Sequence, residues 1–188
     1  KELRQALALD PNRAGTHSDL GTLLAEMGRF EEAVDRHRRA LNLEPNRPAF
    51  HGALGATLAQ GGNLAGAEEA FAHMIFLAPE DPAPWLARGA ALAGLGRFGE
   101  AKDCYLHARK LEPERAEIHW HLANINALET DTTTEVVLSG LLAEQAQPPM
   151  NRVHAGFALA RLRLATDRHD EAFAAAQAAN TQIGRAHV

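Results

Sequence analysis

Residues 48–81 read PAFHGALGATLAQGGNLAGAEEAFAHMIFLAPED, and residues 82–115 read PAPWLARGAALAGLGRFGEAKDCYLHARKLEPER. Written one under the other, they agree in phase: Gly55 over Gly89, Leu58 over Leu92, Gly62 over Gly96, Ala67 over Ala101, Pro79 over Pro113. The register extends upstream through Gly21, Leu24, Gly28, Ala33 and Pro45, and Pro11, Pro45, Pro79 and Pro113 stand 34 residues apart. A fixed period of this length marks a solenoid of helix pairs, in which each pair buries its apolar face against the next.

Numbering each repeat from Ala14, Pro48, Pro82 and Ala116 gives every position a physical reason. Positions 4, 7, 8 and 11 form one stripe of a first helix, and positions 20, 24 and 27 the facing stripe of a second. Small residues at positions 8 and 20 let the two axes approach closely. Glycine at position 15 (Gly28, Gly62, Gly96) can take φ > 0 and end the first helix. Proline at position 32 cannot continue the second helix. Asp81 before Pro82 reads as an N-cap followed by the first helical residue.

The leucine-glycine pair at positions 7–8, glycine at 15, alanine at 20, the ring at 24 (His37, Phe71, Tyr105), Ala40, Met74 and Ala108 at 27, and proline at 32 together resemble the tetratricopeptide repeat family. The resemblance implies an all-α fold, a right-handed superhelical solenoid of antiparallel helix pairs acting as a protein-binding scaffold. Residues 1–188 are expected to form one array. Three good units span 14–47, 48–81 and 82–115, a partial upstream helix 1–11, a degenerate unit 116–149 and a diverged helix pair 150–188. In the degenerate unit positions 15 and 20 become Thr130 and Glu135, while Thr132 and Glu135 read as a capping box starting a helix near 133–146. Beyond the break at Gln147-Pro148-Pro149, helices are expected near 150–165 and 168–183. The segment FALARLRLATDRHDEAFAAAQAAN at 157–180 is similar to the end of the repeat array in bacterial tetratricopeptide sulfotransferases, which would put a catalytic domain after Val188.

Composition agrees with a thin helical stack: 46% apolar residues but only 5% aromatic, and a net charge of −5. That acidity opposes duplex nucleic-acid binding, which Lys and Arg lead, and Arg36, Arg38 and Arg39 read as a solvated helix face. One cysteine, Cys104, excludes an internal disulfide. No apolar run reaches a membrane span and no leader sequence opens the chain, so a cytoplasmic protein without membrane or nucleic-acid partners is expected.

Chemistry is sparse. His17, His51 and His119 occupy position 4, where Trp85 stands in the remaining unit, and read as aromatic-slot residues with local hydrogen bonds. Positions one helix pair apart cannot share a metal ion. Gly52, Gly55, Gly61 and Gly62 do not follow a strand and make no phosphate loop, Cys104 with His107 reads as structural, and Glu31-Glu32 and Glu68-Glu69 suit the N-terminal ends of second helices. No catalytic, cofactor-binding or metal-ligating residue is expected, and the chain by itself is not an enzyme. The resemblance implies a concave groove of first helices, with candidate binding residues Ser18, Thr22, Glu26, Gly52, Ala56, Gln60, Leu86, Ala90, Trp120 and Asn124. Positions 2, 5, 6 and 9 hold no Lys or Arg, unlike the carboxylate clamp of heat-shock co-chaperones, and position 6 lacks the Asn ladder of O-linked N-acetylglucosamine transferases. The expected partner is a protein, peptide, apolar helix or fused domain, with self-association as an alternative.

Overall fold

A computed structural model describes residues 12–186, with side chains through Ile183. The expected upstream helix at 1–11 lies outside the described residues. Among these, ten helices and no strand are present: α1 (Ala14–Glu26), α2 (Phe30–Leu43), α3 (Pro48–Gln60), α4 (Leu64–Leu77), α5 (Pro82–Gly94), α6 (Phe98–Leu111), α7 (Ala116–Asn124), α8 (Thr132–Ala143), α9 (Pro149–Ala165) and α10 (His169–Ala186). The all-α helix-pair fold is thus present, and the last three helices fall within a few residues of their expected bounds. The chain divides into two compact halves at Cys104–Tyr105, within α6.

In the first half, α1 packs on α2, α3 on α4, and α5 on α4, and successive first helices also touch. Ala33, Ala40 and Ala67 are completely buried among Leu20, Leu24, Phe50, Leu58 and Phe71. The close crossing has a more specific cause than paired small residues. An ideal Cβ on Gly21 would stand 2.7–2.9 Å from the His37 ring, and one on Gly55 would stand 2.7–2.9 Å from the Phe71 ring. Position 8 is glycine because a ring at position 24 lies flat against it.

First helices end as the glycines require. Gly28, Gly62 and Gly96 have φ of 73°, 83° and 76°. Each turn carries the same two bonds, as at the first: Gly28 N–H donates to Ala25 O at 2.9 Å and Arg29 N–H to Leu24 O at 2.9 Å. This pairing satisfies carbonyls that the helix leaves open. Asp81 caps α5 by accepting from Ala83 N–H at 2.9 Å, with Pro82 as first helical residue.

The second half carries the departures. α7 is nine residues long where α1, α3 and α5 have thirteen. The left-handed residue is Asn126 (φ 55°), four positions before Thr130, with the same bonds: Asn126 N–H to Ala123 O at 3.0 Å and Ala127 N–H to Leu122 O at 2.8 Å. The capping box expected at Thr132 and Glu135 is not formed. Asp131 is the N-cap, accepting from Thr134 N–H at 2.6 Å. Glu135 instead lies between two guanidiniums, at 3.2 Å from Arg163 and 2.8–2.9 Å from Arg168. These hold its carboxyl below the usual carboxylate range, the Arg168 hydrogen bond most of all. The side chain that displaces alanine at position 20 thus ties α8 to the α9–α10 turn. α9 is longer, at seventeen residues, and ends through Asp167 at φ 58°. Its Asn151 reaches back to accept Ala116 N–H at 3.0 Å, covering an open donor at the start of α7.

Candidate interaction surface

At position 4, His51 and His119 make the local hydrogen bonds expected of them, and the partner is the proline carbonyl of the preceding turn. His51 Nε2 lies 2.8 Å from Pro45 O, Trp85 Nε1 donates to Pro79 O at 2.9 Å, and His119 Nε2 lies 2.8 Å from Pro113 O. Because a carbonyl only accepts, both histidines carry the proton on Nε2. The proline that stops one helix pair therefore supplies the acceptor that seats the next, and position 4 needs a ring with an N–H. Burial lowers the His119 pKa, partly offset by this bond, and lowers that of fully buried His37, whose ring nitrogens have no hydrogen-bond partner among the described residues.

The groove candidates separate by exposure. On α1, Thr22 and Glu26 are exposed while Ser18 is buried, and the Thr22 hydroxyl donates to Ser18 O at 3.2 Å. On α3, Ala56 and Gln60 are exposed, while Gly52 is half-buried with Met74 Sδ 2.8 Å from where a Cβ would be. On α5, Ala90 is exposed and Leu86 is buried. In the second half, Asn124 is exposed and Trp120 is half-buried against the core. The Trp120 ring meets His121 edge-on at 4.8 Å and His154 at 5.4 Å, and Tyr105 stacks on the other ring of that pair, His121, at 5.0 Å. Burial lowers the pKa of both histidines, against a smaller opposing pull from Glu117.

Arg88, at position 7 where the other good units have leucine, reaches α4: its Nη2 stands 2.5 Å from Glu68 Oε1, and the second Glu68 oxygen is 3.8 Å from Arg97. Glu68 is therefore an ion-pair partner as well as a residue of a helix start. Burial pushes the adjacent Cys104 thiol up, so it stays protonated, in keeping with a structural cysteine. Among the described residues, no group of three or more His, Cys, Asp or Glu could hold a metal ion, and no helix is long and apolar enough to cross a membrane.

One concavity was not anticipated from the sequence. A pocket of about 300 Å³ opens between α2 and α3, floored by Phe30, Val34 and Leu58 and rimmed by Glu31, Asp35 and Arg38. It lies beside Gly61, at position 14, where the neighbouring units carry Met27 and Leu95. That alternation was the available signal.

The helix pairs, the left-handed turn residues and the proline-anchored rings define a tetratricopeptide repeat protein. The tetratricopeptide repeat family matches residues 18–82 and 86–151, more than half of the chain. The chain belongs to this family. Among solved structures it is similar to YrrB, a TPR protein with an unusual peptide-binding site, at 17% identity over 97% of this chain and 92% of that one, with a TM-score of 0.65. It is also similar to the first TPR of Spaghetti (RPAP3) bound to the HSP90 peptide SRMEEVD, at 24% identity over 62% of this chain and 93% of that one, TM-score 0.58. The Sgt2 TPR domain from Aspergillus fumigatus aligns at 17% identity over 60% of this chain and 76% of that one, TM-score 0.56. At these identities the likeness is one of fold. No curated protein matches the sequence.

Proposed function

We propose that this chain is a protein-interaction scaffold that holds a peptide, helix or neighbouring domain on the exposed face of its first helices. The observation that carries this reading is the row Thr22, Ala56 and Ala90, one residue at position 9 of each of three successive first helices, all exposed. A small, neutral row suits the close approach of an apolar helix. The RPAP3 domain bound to an HSP90 peptide and the peptide-binding site of YrrB support peptide binding as a use of this fold. The chemistry here differs from a clamp for an acidic peptide, because positions 2, 5, 6 and 9 supply no cation.

The test uses a photo-crosslinking amino acid at Ala56 or Ala90, with Arg36 on α2 as the control site. One partner captured from Ala56 and Ala90, and lost on Ala56→Arg, supports the assignment. Equal capture from Arg36, or capture indifferent to Ala56→Arg, removes it. A second reading, in which the array serves a sulfotransferase, rests on the resemblance of 157–180. A strand, phosphate-cradling loop and helix encoded after Val188 would support it; further repeats or a stop codon would end it.

A further inference from the structure

We infer that the pocket between α2 and α3 is a second binding site, which takes one apolar side chain of a partner flanked by lysine or arginine. It lies on positions 17, 18 and 21 of one unit and 11 and 14 of the next, and it does not depend on the first-helix row described above. At about 300 Å³ it stands at the small end of ligand pockets, with room for a side chain rather than a large cofactor. Its floor is apolar, and Leu58 beneath it belongs to the core, so the floor is rigid.

Gly61 keeps the pocket open. An ideal Cβ there would already lie 3.2 Å from Phe30 Cβ, and the side chains that neighbouring units place at this position, Met27 and Leu95, would extend into the space. Charge complementarity selects the occupant. Glu31 and Asp35 lie one turn apart on α2, about 6 Å along the axis. Neither makes a hydrogen bond or ion pair among the described residues, whereas Glu32 and Glu68 are both paired with arginines. Two unpaired carboxylates beside an apolar floor fit a cationic residue adjacent to an apolar one. Arg38, a turn further on, leaves the rim with a net charge of −1 and orients the basic residue toward the Glu31 end.

The test is an amide-shift titration of the whole chain with a blocked pentapeptide, glycine-lysine-leucine-lysine-glycine, and its glutamate-flanked counterpart. The lysine peptide is expected to move the amides of Phe30, Val34, Leu58 and Gly61, and the glutamate peptide is not. Glu31→Lys with Asp35→Lys should weaken binding about tenfold, since two exposed attractions become repulsions. Arg38→Ala should leave it equal or tighter. Gly61→Leu, a residue the next unit already carries at this position, should abolish binding while helicity persists. Should that variant not fold, the two lysine substitutions on the exposed face of α2 decide the matter. Absence of shifts at millimolar peptide, equal shifts from both peptides, weakening by Arg38→Ala, or binding by a folded Gly61→Leu chain each overturns the site. Ala56→Arg, which tests the first-helix row, is expected to leave this titration unchanged.

Discussion

Replacing Gly55 by alanine puts a methyl group where Phe71 already lies. The new Cβ would stand 2.7, 2.9 and 2.9 Å from three ring carbons, and the ring is 7% exposed, so it has little room to withdraw. Two terms compete. Removing a helix-interior glycine contributes about 0.8–1 kcal/mol of stability. Overpacking a filled crossing costs about 1–3 kcal/mol. The net expectation for Gly55→Ala is a loss of roughly 1 kcal/mol. Gly140, inside α8, has nothing within 4 Å of its ideal Cβ, so Gly140→Ala keeps only the favourable term. The same chemical change should therefore have opposite signs at the two sites, with melting temperatures differing by about 4–8 °C for a chain of this size. Thermal and urea unfolding followed by helical ellipticity read this directly. Trimming the ring in the alanine background (Gly55→Ala with Phe71→Leu) should cost less than the two single changes summed. If Gly55→Ala stabilises as much as Gly140→Ala, the ring does not hold the glycine in place and the account of position 8 is wrong.

The histidines make stability pH-dependent. The unfolded chain takes up protons near the ordinary value of about 6.5, whereas burial lowers the folded values of His37 and His119. The unfolded state thus binds more protons below 6.5, so their contribution is intact above that pH and falls as pH drops, by at most about 1.4 kcal/mol per pH unit for each proton. Urea midpoints between pH 7.5 and 5 should decline, and His37→Phe, which copies the ring of Phe71, should make the decline shallower; an equal slope in both proteins contradicts this. Asp131→Ala should lower the melting temperature of the second half while Thr132→Ala leaves it near the parent value, and the reverse order would restore the capping box as first expected. Ala67, completely buried, should lose about 1–3 kcal/mol on Ala67→Leu, and an unshifted urea curve would contradict the repeat phasing.

The three good units were legible because local rules and the period agree. A glycine that must turn left-handed, a proline that must stop a helix and a stripe at 3.6-residue spacing each act within a few residues, and they recur in register. What escaped the sequence acts across elements. The partners of Glu68 and Glu135 lie 20 or more residues away, on another helix or in the turn that follows it, so Glu68 read as an ordinary residue of a helix start and Glu135 as half of a capping box. Position 4 was recognised as an aromatic slot, but its need for an N–H showed only when the proline carbonyls of the preceding turns were located. In the degenerate unit, Thr130 was aligned with the turn glycines by counting, whereas the chain turns at Asn126. Of the groove candidates, Ser18 and Leu86 are buried, which spacing alone does not reveal. The pocket beside Gly61 depends on the absence of a side chain, and an absence carries no pattern until adjacent units are compared.

The unequal first helices have a consequence for how such arrays can change. α7 is four residues shorter than its counterparts and α9 four longer. Each helical residue advances the azimuth by 100°, so four residues rotate the stripe by a full turn plus 40°. Gaining or losing four residues therefore shifts an axial length by about 6 Å while the apolar side still points nearly where it did. A change of one or two would swing that side by about 100° or 200°, well away from its partner. Helix length in this chain behaves as a stepped variable with a step of one turn, and insertions or deletions of that size in its first helices should be tolerated where smaller ones are not.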